Sequence, residues 1–215
     1  RISAAGSDMA RGEVVLRAGT WLTARETGTL AACGFAQVPC VRRPRVAVLS
    51  TGDEIVPPGA VLEPGQVHDA NATLVVDAVR ELGADAESLG IVGDDEDRMR
   101  ETLVDALARF DVVLLSGGTS TGEGDLTQRA VAELCDIAAH GVALKPGKPL
   151  CLAAHDGKPV VILPGFPTSA IFTFHAFVAP VLRRRLGLGE RARTTVRARL
   201  PRRMTSEGGR AEFTL

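Results

Sequence analysis

At 215 residues with 45% hydrophobic and 24% charged side chains, the chain has apolar material for a full core and more length than one average domain needs. A formal net charge of −1 and a pI near 6.5 supply no overall basic field for nucleic acid, and no apolar run reaches the roughly 18 residues of a membrane span. The four cysteines, Cys33, Cys40, Cys135 and Cys151, lack metal-site or redox-pair spacing and read as free, mostly buried thiols in a reducing cytoplasm.

Residues 1–44 do not read as a compact unit. Gly6 to Glu13 is a polar turn region, and Val14-Val15-Leu16 reads as a short strand. A helix follows from Thr23 to Cys33, with Thr23 as N-cap, Glu26 completing a capping box and Gly34 as the stop. A short strand is expected near Ala36 to Val41, and Arg42-Arg43-Pro44 marks a boundary, because proline cannot continue a ladder in mid-strand. Trp21 reads as core or interface rather than a ligand platform.

From Arg45 the pattern alternates strand and helix. Val46 to Leu49 is a continuous apolar run of the parallel-sheet type, ending in the polar loop Ser50-Thr51-Gly52-Asp53-Glu54. Gly65 to Asn71 leads into a helix to about Leu82, ended by Gly83. A strand from about Ala86 to Val92 runs into Gly93-Asp94-Asp95 and a helix to Arg109. Asp111 to Leu115 is a further buried strand, followed by Ser116-Gly117-Gly118-Thr119-Ser120-Thr121-Gly122-Glu123-Gly124-Asp125 and a helix from Leu126 to Leu134. Two βα units and a third strand predict an α/β fold, a mostly parallel sheet flanked by helices.

Beyond it, Lys145-Pro146-Gly147-Lys148-Pro149 precedes two strands, near Leu150–Ala153 and Val160–Leu163, joined by the turn His155 to Lys158. Pro164-Gly165-Phe166-Pro167-Thr168-Ser169-Ala170 opens a helix to about Leu186. The alternation from Thr194 to Leu200 suggests a strand of another, β-rich domain, and Arg210 to Leu215 looks like an unfinished strand. The chain opens on Arg1 without a methionine, so it reads as a piece of a longer protein.

The chemistry concentrates in loops at strand ends, where open α/β sheets bind ligands. In the loop from Ser116 to Asp125, glycines permit close backbone approach, while hydroxyls and amides suit an oxyanion. Its acids Glu123 and Asp125 point to a metal ion or proton transfer beside the anion. Asp53/Glu54, Asp69 and Asp94/Asp95 join them in a set able to hold a divalent cation by oxygen ligands; the plain alternative for Asp69, Asp95 and Asp125 is helix N-capping. Lys145 and Lys148, two of only three lysines in the chain, flank a rigid Pro-Gly turn and suit an anion. Ser169, near a helix start, offers a phosphate its hydroxyl and amide or else serves the helix as a cap. The histidines His68, His140, His155 and His175 show no metal spacing.

In their order, the motifs 50–54, 65–71, 93–95, 116–125, 145–149 and 163–170 closely resemble the molybdopterin molybdenumtransferase family, which includes MoeA and the gephyrin E domain. The resemblance implies that residues 45–188 form a molybdopterin-binding domain of the MogA-like three-layer type. It makes residues 1–44 a segment of the family's preceding domain and residues 189–215 the start of a C-terminal β-barrel. The implied reaction inserts molybdate into adenylylated molybdopterin and releases AMP, with Mg2+. Glu54, Asp94, Asp125, Lys145 and Lys148 then match catalytic positions, with Asp94 and Asp125 on the metal. Asp8, Thr51, Gly52, Asp69, Asn71, Gly117, Gly118, Thr119, Ser120, Gly122, Glu123, Pro164, Gly165 and Ser169 match positions around the substrate. A cytoplasmic homodimer is implied, with a molybdopterin adenylyltransferase as possible partner and no nucleic-acid or membrane role. The chain departs from the family pattern at Phe166, usually Asn, and at Gly141, usually Lys. Two other readings stand beside the transferase: a molybdopterin adenylyltransferase, and a non-catalytic pterin-binding or scaffold module.

Overall fold

A strand buried on both faces sits at the centre of the sheet because its sequence carries no exposed side. In the computed structural model, which describes residues 3–117, 126–189, 195–199, 201, 203, 206 and 208–213, β1 (Arg45–Thr51) has every residue after Arg45 buried. It runs parallel between β4 (Asp85–Val92) and β5 (Val112–Ser116), in register from Val46↔Val112 to Ser50↔Ser116. Preceding it is α1 (Ala24–Ala32), with Thr23 and Glu26 forming the expected capping box. Between β1 and β4 lie the two-residue strands β2 (Ile55–Val56) and β3 (Val67–His68) and the helix α2 (Ala70–Glu81). Helix α3 (Glu96–Arg109) crosses back from β4 to β5, and α4 (Leu126–Leu134) follows.

The second half closes the sheet. β6 (Asp136–His140) and β7 (Leu144–Lys145) precede the antiparallel hairpin of β8 (Cys151–His155) and β9 (Lys158–Leu163). β9 pairs parallel with β5, giving the order β4-β1-β5-β9-β8-β6. A helical stretch then runs through α5 (Pro167–Thr173), a π-helical turn (Phe174–Val178) and α6 (Ala179–Arg185). At the end of the chain, β10 (Ala211–Glu212) pairs with β7.

Alternate residues of β1 feed two cores. Val46 and Val48 pack with Val75 and Val79 of α2 and with Phe174 and Leu182; Ala47 and Leu49 pack with Met99 and Leu103 of α3 and Val131 of α4. The result is three layers, helix on sheet on helix, around a mostly parallel sheet. Among the described residues no helix is long and apolar enough to cross a membrane.

Several sequence expectations need correcting. Residues 14–16, 36–41 and 195–199 form no strand; alternation alone makes no strand without a ladder partner. β6 was not expected: it is an edge strand, mostly exposed, whose short run Ile137-Ala138-Ala139 carries only one β-branched residue and gives little strand signal. The helix from 167 to 186 is interrupted because Pro180 has no N–H to donate and its ring crowds the preceding turn, and the π turn sits directly before it. All four cysteines are free, but only Cys135 and Cys151 are buried, while Cys33 and Cys40 are exposed. Burial pushes the Cys135 thiol up to about 11, so it is an inert core group.

The N-terminal segment is tied to the sheet by side chains. Arg42 donates both Nη atoms to Asp111 at 2.9 and 2.7 Å, and the Arg45 amide donates to the same carboxylate at 2.7 Å. Trp21, half exposed, lies against Gly83, where an added Cβ would meet its ring at 2.8 Å.

Candidate functional site

Four parallel strands end at one edge of the sheet, so their following loops meet there: Gly52-Asp53-Glu54 after β1, Gly93-Asp94 after β4, Gly117 after β5 and Pro164-Gly165 after β9. The packing demands glycine. Gly117 has φ +104°, and a Cβ there would lie 2.3 Å from the Thr51 carbonyl oxygen. Thr51 is buried, its hydroxyl donating to the Ser116 carbonyl at 3.4 Å and accepting from the Thr127 hydroxyl at 3.2 Å.

Asn71 ties the edge together. From the second position of α2, its Nδ2 donates to Ser116 Oγ and to the Gly165 carbonyl, both at 2.7 Å. Those bonds join the ends of β5 and β9 and fix the amide's orientation. Its Oδ1, buried, has no hydrogen-bond partner among the described residues. An unpaired buried acceptor is costly, and a ligand N–H would satisfy it.

The acids divide by role. Asp69 and Asp95 cap α2 and α3, accepting from the Ala72 and Arg98 amides at 2.9 Å each; both take the capping reading, and Asp69 is buried. Asp53 links two loops, since its Oδ1 accepts from the Asp94 amide at 2.9 Å and would sit 2.4 Å from a Cβ on Gly93. Glu54 is exposed and folds its carboxylate over Gly52, at 2.5 Å from where a Cβ would stand. Asp94 is exposed. Asp125, Glu123, Gly118, Thr119, Ser120 and Gly122 lie outside the described residues, and among the described ones no three His, Cys, Asp or Glu side chains gather as a metal cluster.

The basic loop reaches the same edge. β6 pairs His140 with Cys151 at the start of β8, and β8 pairs Cys151 with Ile162 near the end of β9. The loop between β6 and β8 is pinned by the Val142 amide to the Lys148 carbonyl at 2.8 Å and by Gly147, buried against Thr173. Lys148 is exposed, and Lys145 Nζ lies 3.2 Å from Glu212 Oε1. Glu212 carried no sequence signal, because its contact with the loop depends on the β7–β10 pairing. Gly141 has φ +82°, a conformation in which a lysine would be strained. Pro164 is buried, Gly165 is exposed and Ser169 is half-buried in the first turn of α5. Phe166 is 82% exposed and caps α5 without any side-chain hydrogen bond. Asp8 is exposed and makes no hydrogen bond or ion pair among the described residues; its neighbour Met9 contacts Cys33 after α1.

Two cavities flank this edge. One of about 360 Å3 is apolar, between Leu74 of α2 and Ile171, Phe172 and His175. The other, about 640 Å3, lies between Pro57, Arg80 and Ile91 and shares Asp69 with the candidate site. Its charged lining of Asp69, Asp77 and Arg80 holds more carboxylate than cation, a poor match for a dianion.

A family model described as "Probable molybdopterin binding domain" matches residues 47–184. The chain is 35% identical over 219 residues to molybdopterin molybdenumtransferase 2 of Mycobacterium tuberculosis, covering 99% of this chain and 54% of that one. It is 40% identical over 183 residues to the molybdopterin molybdenumtransferase of a Nostoc species, covering 83% and 42%. A solved molybdopterin biosynthesis MoeA protein from Pyrococcus horikosii superposes with a TM-score of 0.76 at 40% identity, over 84% of this chain and 45% of that one. The chain spans about half the length of the curated relatives it matches. With that match extending from β1 into α6, the chain belongs to the molybdopterin-binding domain family, and its relatives include molybdopterin molybdenumtransferases.

Proposed function

We propose that this chain is the pterin-binding core of a molybdopterin molybdenumtransferase, acting on adenylylated molybdopterin and molybdate and releasing AMP. The observation that carries the reading is Asn71, whose orientation is fixed by Ser116 and Gly165 and whose buried Oδ1 is left for a ligand donor. Around it, Thr51, Gly52, Gly117, Pro164 and Gly165 form the backbone wall, and by the family resemblance Gly118, Thr119, Ser120, Gly122 and Glu123 also serve the substrate. Asp69 contributes by holding the start of α2, and Ser169 offers a hydroxyl from α5. Lys145 and Lys148 bind the oxyanions, and Glu54 stands beside the reacting phosphates.

Among the described residues the loops of this edge offer carboxylate oxygens and no sulfur or imidazole, the donor chemistry of a hard cation. Asp94 and Asp125 would hold Mg2+ there, and the ion would neutralise charge on the pyrophosphate. The lysines and backbone amides keep phosphate and molybdate in line. In the whole protein, residues 1–44 belong to a preceding domain that brings Asp8 to the site, residues 45–188 form the pterin domain and residues 189–215 begin a β-rich domain. The protein works as a cytoplasmic homodimer, receiving its substrate from an adenylyltransferase.

A second reading, a non-catalytic pterin-binding module, draws on Gly141 and Phe166, where a charge and a polar side chain of the family pattern are missing. The two separate in one assay on the full-length protein: AMP release from adenylylated molybdopterin with magnesium, with and without molybdate. Molybdate-dependent release, lost in Asp125→Ala, is the expected result. Tight binding without release would overturn the enzyme reading.

A further inference from the structure

The end of the chain is laid across the loop that carries Lys145. The Ala211 amide donates to the Ala143 carbonyl at 2.9 Å and the Phe213 amide to the Lys145 carbonyl at 2.8 Å, giving the parallel pairing of β10 with β7. The Phe213 ring stacks on Phe172 of α5, centroids 5.2 Å apart. Between these two anchors Glu212 is fixed with its side chain only 17% exposed and Oε1 3.2 Å from Lys145 Nζ.

A carboxylate so placed works against simple anion binding. It repels the oxyanion that Lys145 would attract, and its desolvation makes the pair a weak source of stability. What it does supply is a fixed position for a long, flexible ammonium. We infer that Glu212 is a positioning residue: it holds Lys145 in the geometry needed at the transition state, at the expense of ground-state affinity for the oxyanion. This rests on the transferase reading of the same site.

Two measurements on the full-length protein test it. In steady-state AMP release with molybdate varied, Glu212→Gln is expected to lower kcat about tenfold while the KM for molybdate stays level or falls, the pattern of lost ground-state strain. Glu212→Asp recovers part of kcat. In the Lys145→Ala background, Glu212→Gln changes kcat less than about twofold, because a residue acting through Lys145 is silent without it. Losses that multiply in the double variant, or a raised KM with kcat untouched, overturn the proposal.

The second measurement needs no turnover. After isotope-labelled reductive methylation, the NMR signal of Lys145, assigned by its loss in Lys145→Arg, is expected to move in Glu212→Gln while those of Lys148 and Lys158 stay. A stationary Lys145 signal refutes the positioning role. If the wild-type protein releases no AMP, the transferase reading falls and the NMR result alone decides the pairing.

Discussion

Phe166 stands where a helix start wants a short polar side chain. Its backbone is extended, as an N-cap requires, yet it offers the α5 amides no acceptor and leaves its ring in solvent. Phe166→Asn is therefore expected to stabilise the protein by about 1 kcal/mol, read as a higher denaturant midpoint at unchanged slope. A destabilisation would mean that the ring packs on a surface contributed from elsewhere. The same scale shows what sequence could and could not reveal. The need for glycine at 117 was legible from its strand-to-loop position. That Asn71 joins two strand ends 45 and 94 residues away was not, because a long-range side-chain bond leaves no periodic trace.

Elements read well where their own sequence decides their form. The Thr23 capping box, the apolar run of β1 and the amphipathic helices α2, α3 and α4 all announce themselves locally. β6 and the two-residue strands β2, β3 and β7 exist only because a neighbour offers a ladder, so they were invisible, whereas β10 lies in the stretch 210–215 that reads as an unfinished strand. Asp111, at the start of β5, is the element-level anchor of the N-terminal segment. Hydrogen bonding from Arg42 holds its carboxyl below the usual carboxylate range. Because the folded-state pKa is depressed, the anchor's stability is fully present at neutral pH and fades as pH falls below about 4. Asp111→Asn should cost about 1–2 kcal/mol at pH 7, a modest figure because Arg42 is largely exposed and screened. Denaturant titrations at pH 7 and near pH 3 should show the difference between the two proteins shrinking in acid. A difference independent of pH would contradict the pairing.

At the scale of the whole molecule, topology does the assembling. Loops far apart in sequence converge because four strands run the same way, and the reverse strand β8 brings the basic loop to that edge. The βαβ rhythm made this convergence foreseeable. The arrival of Glu212 at Lys145 was not, since it depends on a pairing of two-residue strands. The location of the pterin site is tested most directly by equilibrium titration of the full-length protein with adenylylated molybdopterin, comparing wild type with Asn71→Ala at the edge and Arg80→Ala in the neighbouring cavity. Affinity about tenfold weaker in Asn71→Ala, the loss of roughly one buried hydrogen bond, with Arg80→Ala unchanged, is the predicted result. Weakening in Arg80→Ala with Asn71→Ala unaffected would move the site to the cavity beside α2 and contradict the account.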